Sequence, residues 1–214
     1  MTILITGATR GIGAGLAAHY KDQGHEVFGT GRSTLADIQL DVTHPEDHSA
    51  MAASLGDRAL DLLVCNAGVY LDKGDDLETG FGADLWAQTF ATNVTGVFLA
   101  IQALLPHLRR AKAPKIAIMS SQMASSELAP GGSYIYRASK AAVLNLGRNL
   151  ATDLKGDGIA VGIYHPGWVQ TDMGGSTAAI TTDEAVRGLA ARFAALDLGT
   201  TGCFETWDGR AHPF

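Results

Sequence analysis

Ile3-Leu4-Ile5-Thr6-Gly7-Ala8-Thr9-Arg10-Gly11-Ile12-Gly13 carries an apolar strand straight into a glycine-rich turn and a helix. Such a chain must reverse sharply, and the bare backbone of Gly7, Gly11 and Gly13 permits it. The helix that follows aims free N–H groups and the positive end of its dipole at the turn, a setting made for a pyrophosphate. Leu16 stands where the last glycine of a GxGxxG fingerprint would fall, so the spacing reads as TGxxxGxG. No Gly-Lys-Ser/Thr follows, which excludes a P-loop. With Thr9, Arg10 and Ile12 between its glycines, the turn is a candidate dinucleotide cradle.

Beyond this unit, short aliphatic runs alternate with longer helical patterns, as in a parallel sheet covered on both faces by crossover helices. Seven strands are predicted, at Thr2 to Thr6, Glu26 to Thr30, Ile38 to Leu40, Leu60 to Cys65, Lys115 to Ser120, Ile159 to Tyr164 and Gly202 to Phe204. Helices are predicted over Gly13 to Gln23, Pro45 to Leu55, Ala83 to Arg110, Gly132 to Lys155 and Thr182 to Leu196. No composition break, repeat or low-complexity tract interrupts them, so residues 1–214 are read as one doubly wound α/β domain.

Composition narrows the function. The 214 residues are 46% apolar, enough for a substantial core. A net charge of −6 with no basic cluster beyond Arg109-Arg110 speaks against nucleic acid. The uninterrupted apolar stretches near Val97 to Ile101 and Ala103 to Pro106 fall short of the roughly 20 residues that cross a bilayer, so no membrane association is expected. The chain enters its first strand without a secretory leader pattern, and a cytoplasmic location is expected. Cys65 and Cys203 lie far apart in apolar runs, read as buried free thiols rather than a disulfide or metal pair. No metal site is expected.

The first unit also bears on which dinucleotide is bound. An NAD site places an acidic residue about 20 residues beyond the glycines, to accept from the ribose 2′-hydroxyl. Gly31 and Arg32 occupy that region here. With the guanidiniums of Arg10 and Arg32 available to a 2′-phosphate, NADP(H) is expected in preference to NAD(H).

Tyr136-Arg137-Ala138-Ser139-Lys140 sets a phenol and an ammonium four residues apart, on one face of a helix. Hydride arriving at a carbonyl carbon leaves an alkoxide, which needs a proton donor and a second hydrogen bond to polarise the oxygen. Drawing a phenol from a pKa near 10 to about 7 takes roughly 4 kcal/mol. A unit charge about 4 Å away at an effective dielectric of about 20 supplies that much. Tyr136 is therefore the expected donor and Lys140 the group that tunes it.

In these motifs the sequence resembles the short-chain dehydrogenase/reductase family almost from end to end. The likeness rests on Thr6 to Gly13, Asp41-Val42, Asn66-Ala67-Gly68, Asn93, the Ser121/Tyr136/Lys140 set and Pro166-Gly167-Trp168-Val169-Gln170-Thr171, in the family's order. Tyr134 to Ala142, His165 to Trp168 and Trp207-Asp208-Gly209 look like its C-factor-like, sniffer-like branch. The resemblance implies a single Rossmann domain with a sheet of about seven parallel strands and helices on both faces. It implies that Asp41 and Val42 hold the adenine, that Asn66, Ala67 and Gly68 steady the central strand and line the ribose, and that Pro166, Val169 and Thr171 embrace the nicotinamide. Lys140 would also grip the ribose and pass protons through water to Asn93.

The polarising serine is read as Ser121, at the end of the Lys115 to Ser120 strand, with Ser120 the alternative; the family's usual spacing falls on Met123. His165 is read as a structural hydrogen-bonder, since no GxSxG elbow supports a hydrolase. Asn93-Val94-Thr95 fits the glycosylation sequon but lies in a helical pattern. Apolar faces around Phe98, Leu99, Leu144 and Leu150 belong to the core or to a second subunit, and a homodimer or homotetramer is expected, as is common in the family. Asp172 to Thr182, rich in small residues, would cover the substrate as a mobile, weakly selective segment. Taken together, an NADPH-dependent reductase of small or medium carbonyl substrates is expected, reversible to alcohol oxidation. The alternative is a dinucleotide-binding signalling protein of the C-factor type.

Overall fold

Ile3 and Ile5 pack on one side of the first strand and Leu4 on the other, and all are fully buried. That alternation, repeated strand by strand, makes a sheet with two apolar faces and requires helices on both. The computed structural model describes residues 1–214. Its strands are β1 (Thr2–Ile5), β2 (Glu26–Gly31), β3 (Ile38–Gln39), β4 (Leu62–Cys65), β5 (Lys115–Met119), β6 (Ala160–His165) and β7 (Phe204–Thr206). All pair in parallel, in the order β3-β2-β1-β4-β5-β6-β7. The helices are α1 (Gly11–Asp22), α2 (Pro45–Ser54), α3 (Ala83–Phe90), α4 (Gly96–Leu108), α5 (Tyr134–Leu154) and α6 (Thr182–Ala195).

One core joins Leu4, Leu63, Cys65, Ile116 and Ile118 to α2, α4 and α5; the other joins Ile3, Ile5, Val64, Ala117 and Met119 to α1 and α6. All seven predicted strands and every predicted helix are present, with ends moved by at most two residues. Cys65 is buried in β4, and Cys203, half-buried, precedes β7 rather than lying in it. Burial pushes the Cys65 thiol up to about 12. Because the chain leaves β1 in one direction for β2 and β3 and crosses back to β4, a crevice opens beyond the carboxyl ends of β1 and β4, where ligands of such sheets lie.

Two features differ from the sequence reading. The predicted Ala83 to Arg110 helix is divided by a π-helical turn over Ala91–Thr95, an extra residue pushed into the helix just where Asn93 sits. The rod from Ala83 to Leu108 spans 26 residues at a hydropathy of 1.3, long and apolar enough to cross a bilayer by those measures. Counting only uninterrupted apolar stretches overlooked it. Val97, Ile101, Leu104 and Leu108 bury its inner face against the sheet, so it serves here as a core helix.

Candidate active site

The phosphate turn is shaped by contacts that leave no room for side chains. Gly7 has φ +68°, and a Cβ there would lie 2.9 Å from Ala67 Cα; a Cβ on Gly13 would lie 2.3 Å from Gly7 O. Asn66 Nδ2 donates to Thr6 O and Gly7 O, both at 3.0 Å, while Thr6 Oγ1 accepts from the N–H groups of Asn66 and Ala67. Asn66 and Ala67 thus lock the end of β4 to the turn after β1. Ile12 packs on the α1 side of the core, and Thr9 lies exposed beside Gly31. No side chain caps α1, and no acidic residue stands in its first turn. A helix start left with unpaired N–H groups fits an anion, so the residues present suit a dinucleotide pyrophosphate.

Around the adenosine end, Arg32 is exposed just after β2. Asp37, the acid on the same loop, accepts from Gly29 N at 2.8 Å and pairs with Lys21. Arg10 Nη1 lies 2.7 Å from Asp172 Oδ2, so the structure joins it to the segment after β6 and not to Arg32. Asp41 Oδ1 accepts from the amide and hydroxyl of Thr43. Val42 is buried in the core, its carbonyl accepting from His48 Nε2.

Tyr136 and Lys140 lie on the first turns of α5, both buried, with Lys140 Nζ 5.6 Å from the Tyr136 ring centroid. Lys140 Nζ donates to Met119 O at 2.9 Å. Ser120 Oγ donates to Lys140 O, which occupies it structurally, whereas the Ser121 hydroxyl faces the phenol and accepts from Met123 N. Asn93 Oδ1 accepts from Val69 N at 2.8 Å, and its Nδ2 donates to Val69 O and Ser139 Oγ. A Cβ on Gly68 would lie 3.3 Å from Asn93 Oδ1 and 3.5 Å from Lys140 Nζ, so all three converge on one spot.

The electrostatics differ from the sequence argument. Burial pushes the Tyr136 phenol up to about 12; the Ser121 hydroxyl works against that rise, while Tyr70 and Asp72 add to it. Burial also lowers Lys140 to about 8. Desolvation disfavours both charged forms and here outweighs the attraction of ammonium for phenolate. Lys140 alone therefore does not bring Tyr136 to 7.

Pro166, Val169 and Thr171 follow β6 into the crevice, and a Cβ on Gly11 would lie 3.4 Å from Thr171 Cγ2. The segment from Asp172, expected to be mobile, is tied down. Gln170 N donates to Ile180 O and Ile180 N to Trp168 O, while Trp168 Nε1 donates to Gly174 O at 2.8 Å. His165, expected to be a structural hydrogen-bonder, has its Nδ1 buried without a partner.

The family model described as short chain dehydrogenase matches residues 1–181. The chain belongs to this family. It is an oxidoreductase by that membership. The C-signal protein of Myxococcus xanthus is 35% identical over 170 residues, covering 77% of this chain and 99% of its own. Among solved structures, the NADPH-bound carbonyl reductase of chicken fatty liver is 29% identical with a TM-score of 0.90, over 100% of this chain and 98% of its own. The carbonyl reductase Sniffer of D. melanogaster is 27% identical with a TM-score of 0.92, over 100% and 99%.

Within this candidate site, sequence reasoning overlooked Tyr70, Asp72 and Ser139. The Tyr70 ring stacks on Tyr136 at 4.3 Å, Asp72 accepts from the start of α5, and Ser139 links Asn93 to Tyr136 O. Tyr70 and Asp72 carry no local signal, since a lone polar residue in a loop has no periodicity to betray it. Ser139 was visible only as the residue before Lys140.

Proposed function

We propose that this chain is an NADPH-dependent reductase of an aldehyde or ketone of small or medium size. One observation carries the reading: Asn93 and Lys140 converge beside Gly68 after β4, and Ser121, after the neighbouring β5, faces the Tyr136 phenol, next to the β1 strand that leads to the uncapped start of α1. Bound NADPH supplies the hydride. Gly7, Gly11 and Gly13, with Thr9 and Ile12, bind its pyrophosphate on the first turn of α1. Arg10 and Arg32 favour the 2′-phosphate, Asp41 and Val42 flank the adenine, and Asn66, Ala67 and Gly68 support the ribose. Pro166, Val169 and Thr171 orient the nicotinamide. Ser121 polarises the substrate oxygen, Tyr136 gives it a proton, and Lys140 with Asn93 holds the ribose and replenishes that proton.

A phenol near 12 stays protonated at neutral pH, as a donor must, and the alkoxide is the stronger base. The NADPH and carbonyl reductase assignments of the chicken fatty liver and Sniffer proteins support the same reading. The protein would act as a homodimer or homotetramer.

The test is a panel of aldehydes, ketones and quinones with NADPH, followed by loss of reduced-cofactor absorbance. Turnover is expected, and Tyr136→Phe should lower it by about 10²- to 10⁴-fold; a Tyr136→Phe enzyme as fast as wild type defeats the assignment. The likeness to C-signal motivates a second reading, a signalling protein that binds the dinucleotide. Tight NADPH binding without turnover of any carbonyl in the panel would favour it.

A further inference from the structure

The helix that carries Tyr136 and Lys140 has no cap of its own. Ser133, the residue before α5, stands at φ 48° in the left-handed region, and its side chain makes no capping hydrogen bond. Its hydroxyl is paired with that of Tyr70 instead. The first N–H groups of a helix are orphans that something must satisfy. Here Asp72 does so from 63 residues away: its Oδ2 accepts from Ile135 N at 2.9 Å, and both its oxygens accept from Tyr136 N at 3.3 Å.

Asp72 is fully buried, and none of the ion pairs includes it. A buried carboxylate without a cation is costly unless N–H groups and a helix dipole compensate it, which is what α5 supplies. The loop bearing Asp72 is fixed at its other end, where the Asn93 side chain grips both the N–H and the carbonyl of Val69. Between the two anchors, the Tyr70 ring stacks on Tyr136 at an interplanar angle of 23°. Residues 68 to 72 therefore form a strap from Asn93 to the proton donor.

We propose that Asp72 is a positioning residue for the reaction. Its carboxylate fixes the first turn of α5, and with it the Tyr136 ring, and its negative charge keeps the proton on the phenol until the substrate oxygen takes it. This deepens the proposed function and rests on Tyr136 as the donor. Hydride from the reduced nicotinamide goes to the carbonyl carbon, and the phenol proton goes to the oxygen. A negative charge behind the donor disfavours the phenolate, so the site leans toward carbonyl reduction over alcohol oxidation. The groups facing Tyr136 are Lys140 on its own helix, Ser121 after β5, and Tyr70 and Asp72 on the strap; of these only Ser121 is found to lower the phenol, whereas Tyr70 and Asp72 raise it.

The test compares Asp72→Asn, which keeps an acceptor oxygen but no charge, with Asp72→Ala, which keeps neither. Amide hydrogen exchange at Ile135 and Tyr136 reads the cap without any substrate. The pH profile of kcat for carbonyl reduction reads the charge. Exchange should speed up by roughly tenfold or more in Asp72→Ala and stay near wild type in Asp72→Asn. In Asp72→Asn the basic limb of kcat should move about one pH unit toward acid, with the KM for NADPH unchanged. Unaltered exchange in Asp72→Ala overturns the positioning role, and an unmoved limb in Asp72→Asn overturns the charge role. Should Asp72→Ala not fold, Asp72→Ser, whose shorter side chain cannot reach both N–H groups, takes its place in the exchange measurement with the same two outcomes, and Asp72→Asn still decides the second point. Tyr136→Phe, run alongside, separates this inference from the reading beneath it: retained turnover there removes the donor assignment, while the exchange data still report on Asp72.

Discussion

Ser120 and Ser121 are neighbours of one type with different work, because successive residues at the end of a strand face opposite ways. The Ser120 hydroxyl is spent on Lys140 O, whereas Ser121 faces the phenol. Ser121→Ala should lower kcat by about 10²-fold with thermal stability kept. Ser120→Ala should cost about 1 kcal/mol of stability, read by urea unfolding, through the loss of one buried hydrogen bond. His165 offers a different test. Burial, with His212 beside it, lowers its pKa to about 4, so the folded protein holds it neutral. An unfolded histidine titrates near 6.5. As pH falls from about 6.5 to 4, the unfolded chain gains a proton that the folded one refuses, and stability drops by about 3 kcal/mol. Denaturation curves across that window should flatten in His165→Gln; an equal slope in the variant contradicts the assignment.

Arg10 and Asp172 join two elements, the start of α1 and the segment after β6, by an ion pair whose members are 72% and 77% exposed. Such a pair adds little to stability in water, so its interest lies in what it occupies. While bound to Asp172, Arg10 is less available to a 2′-phosphate. Asp172→Asn should tighten NADPH by a few-fold, up to about fivefold, and NADH by less, as read by fluorescence titration. Equal changes for the two cofactors would count against Arg10 as a phosphate ligand. The π-turn at Ala91–Thr95 belongs to this scale too. The apolar period of the helix runs through it, and only the meeting of Asn93 with Val69 and Ser139 reveals why the register shifts there.

For the whole molecule, Phe98 is 40% and Trp86 37% exposed along the outer side of the α3 to α4 rod. If that face pairs subunits, Phe98→Glu should convert a dimer or tetramer to monomer in light scattering, and an unchanged mass would place the interface elsewhere. The architecture was legible from strand runs, crossover helices and glycine spacing, because each is a short-range pattern that the backbone must obey wherever the chain goes. Ser121, Tyr136, Lys140 and Asn93 were legible for a similar reason, through motifs carried on strand ends and helix turns. Their electrostatics were not: the sequence placed a cation beside a phenol, but only folding removed the water that favours both charged forms, lowering the lysine and raising the phenol. Likewise Asp72, Tyr70 and the Arg10 to Asp172 pair acquire meaning from partners 63, 63 and 162 residues away. Local periodicity determines which elements form, whereas contacts between distant loops depend on how those elements pack, and no sequence window contains both sides of such a contact.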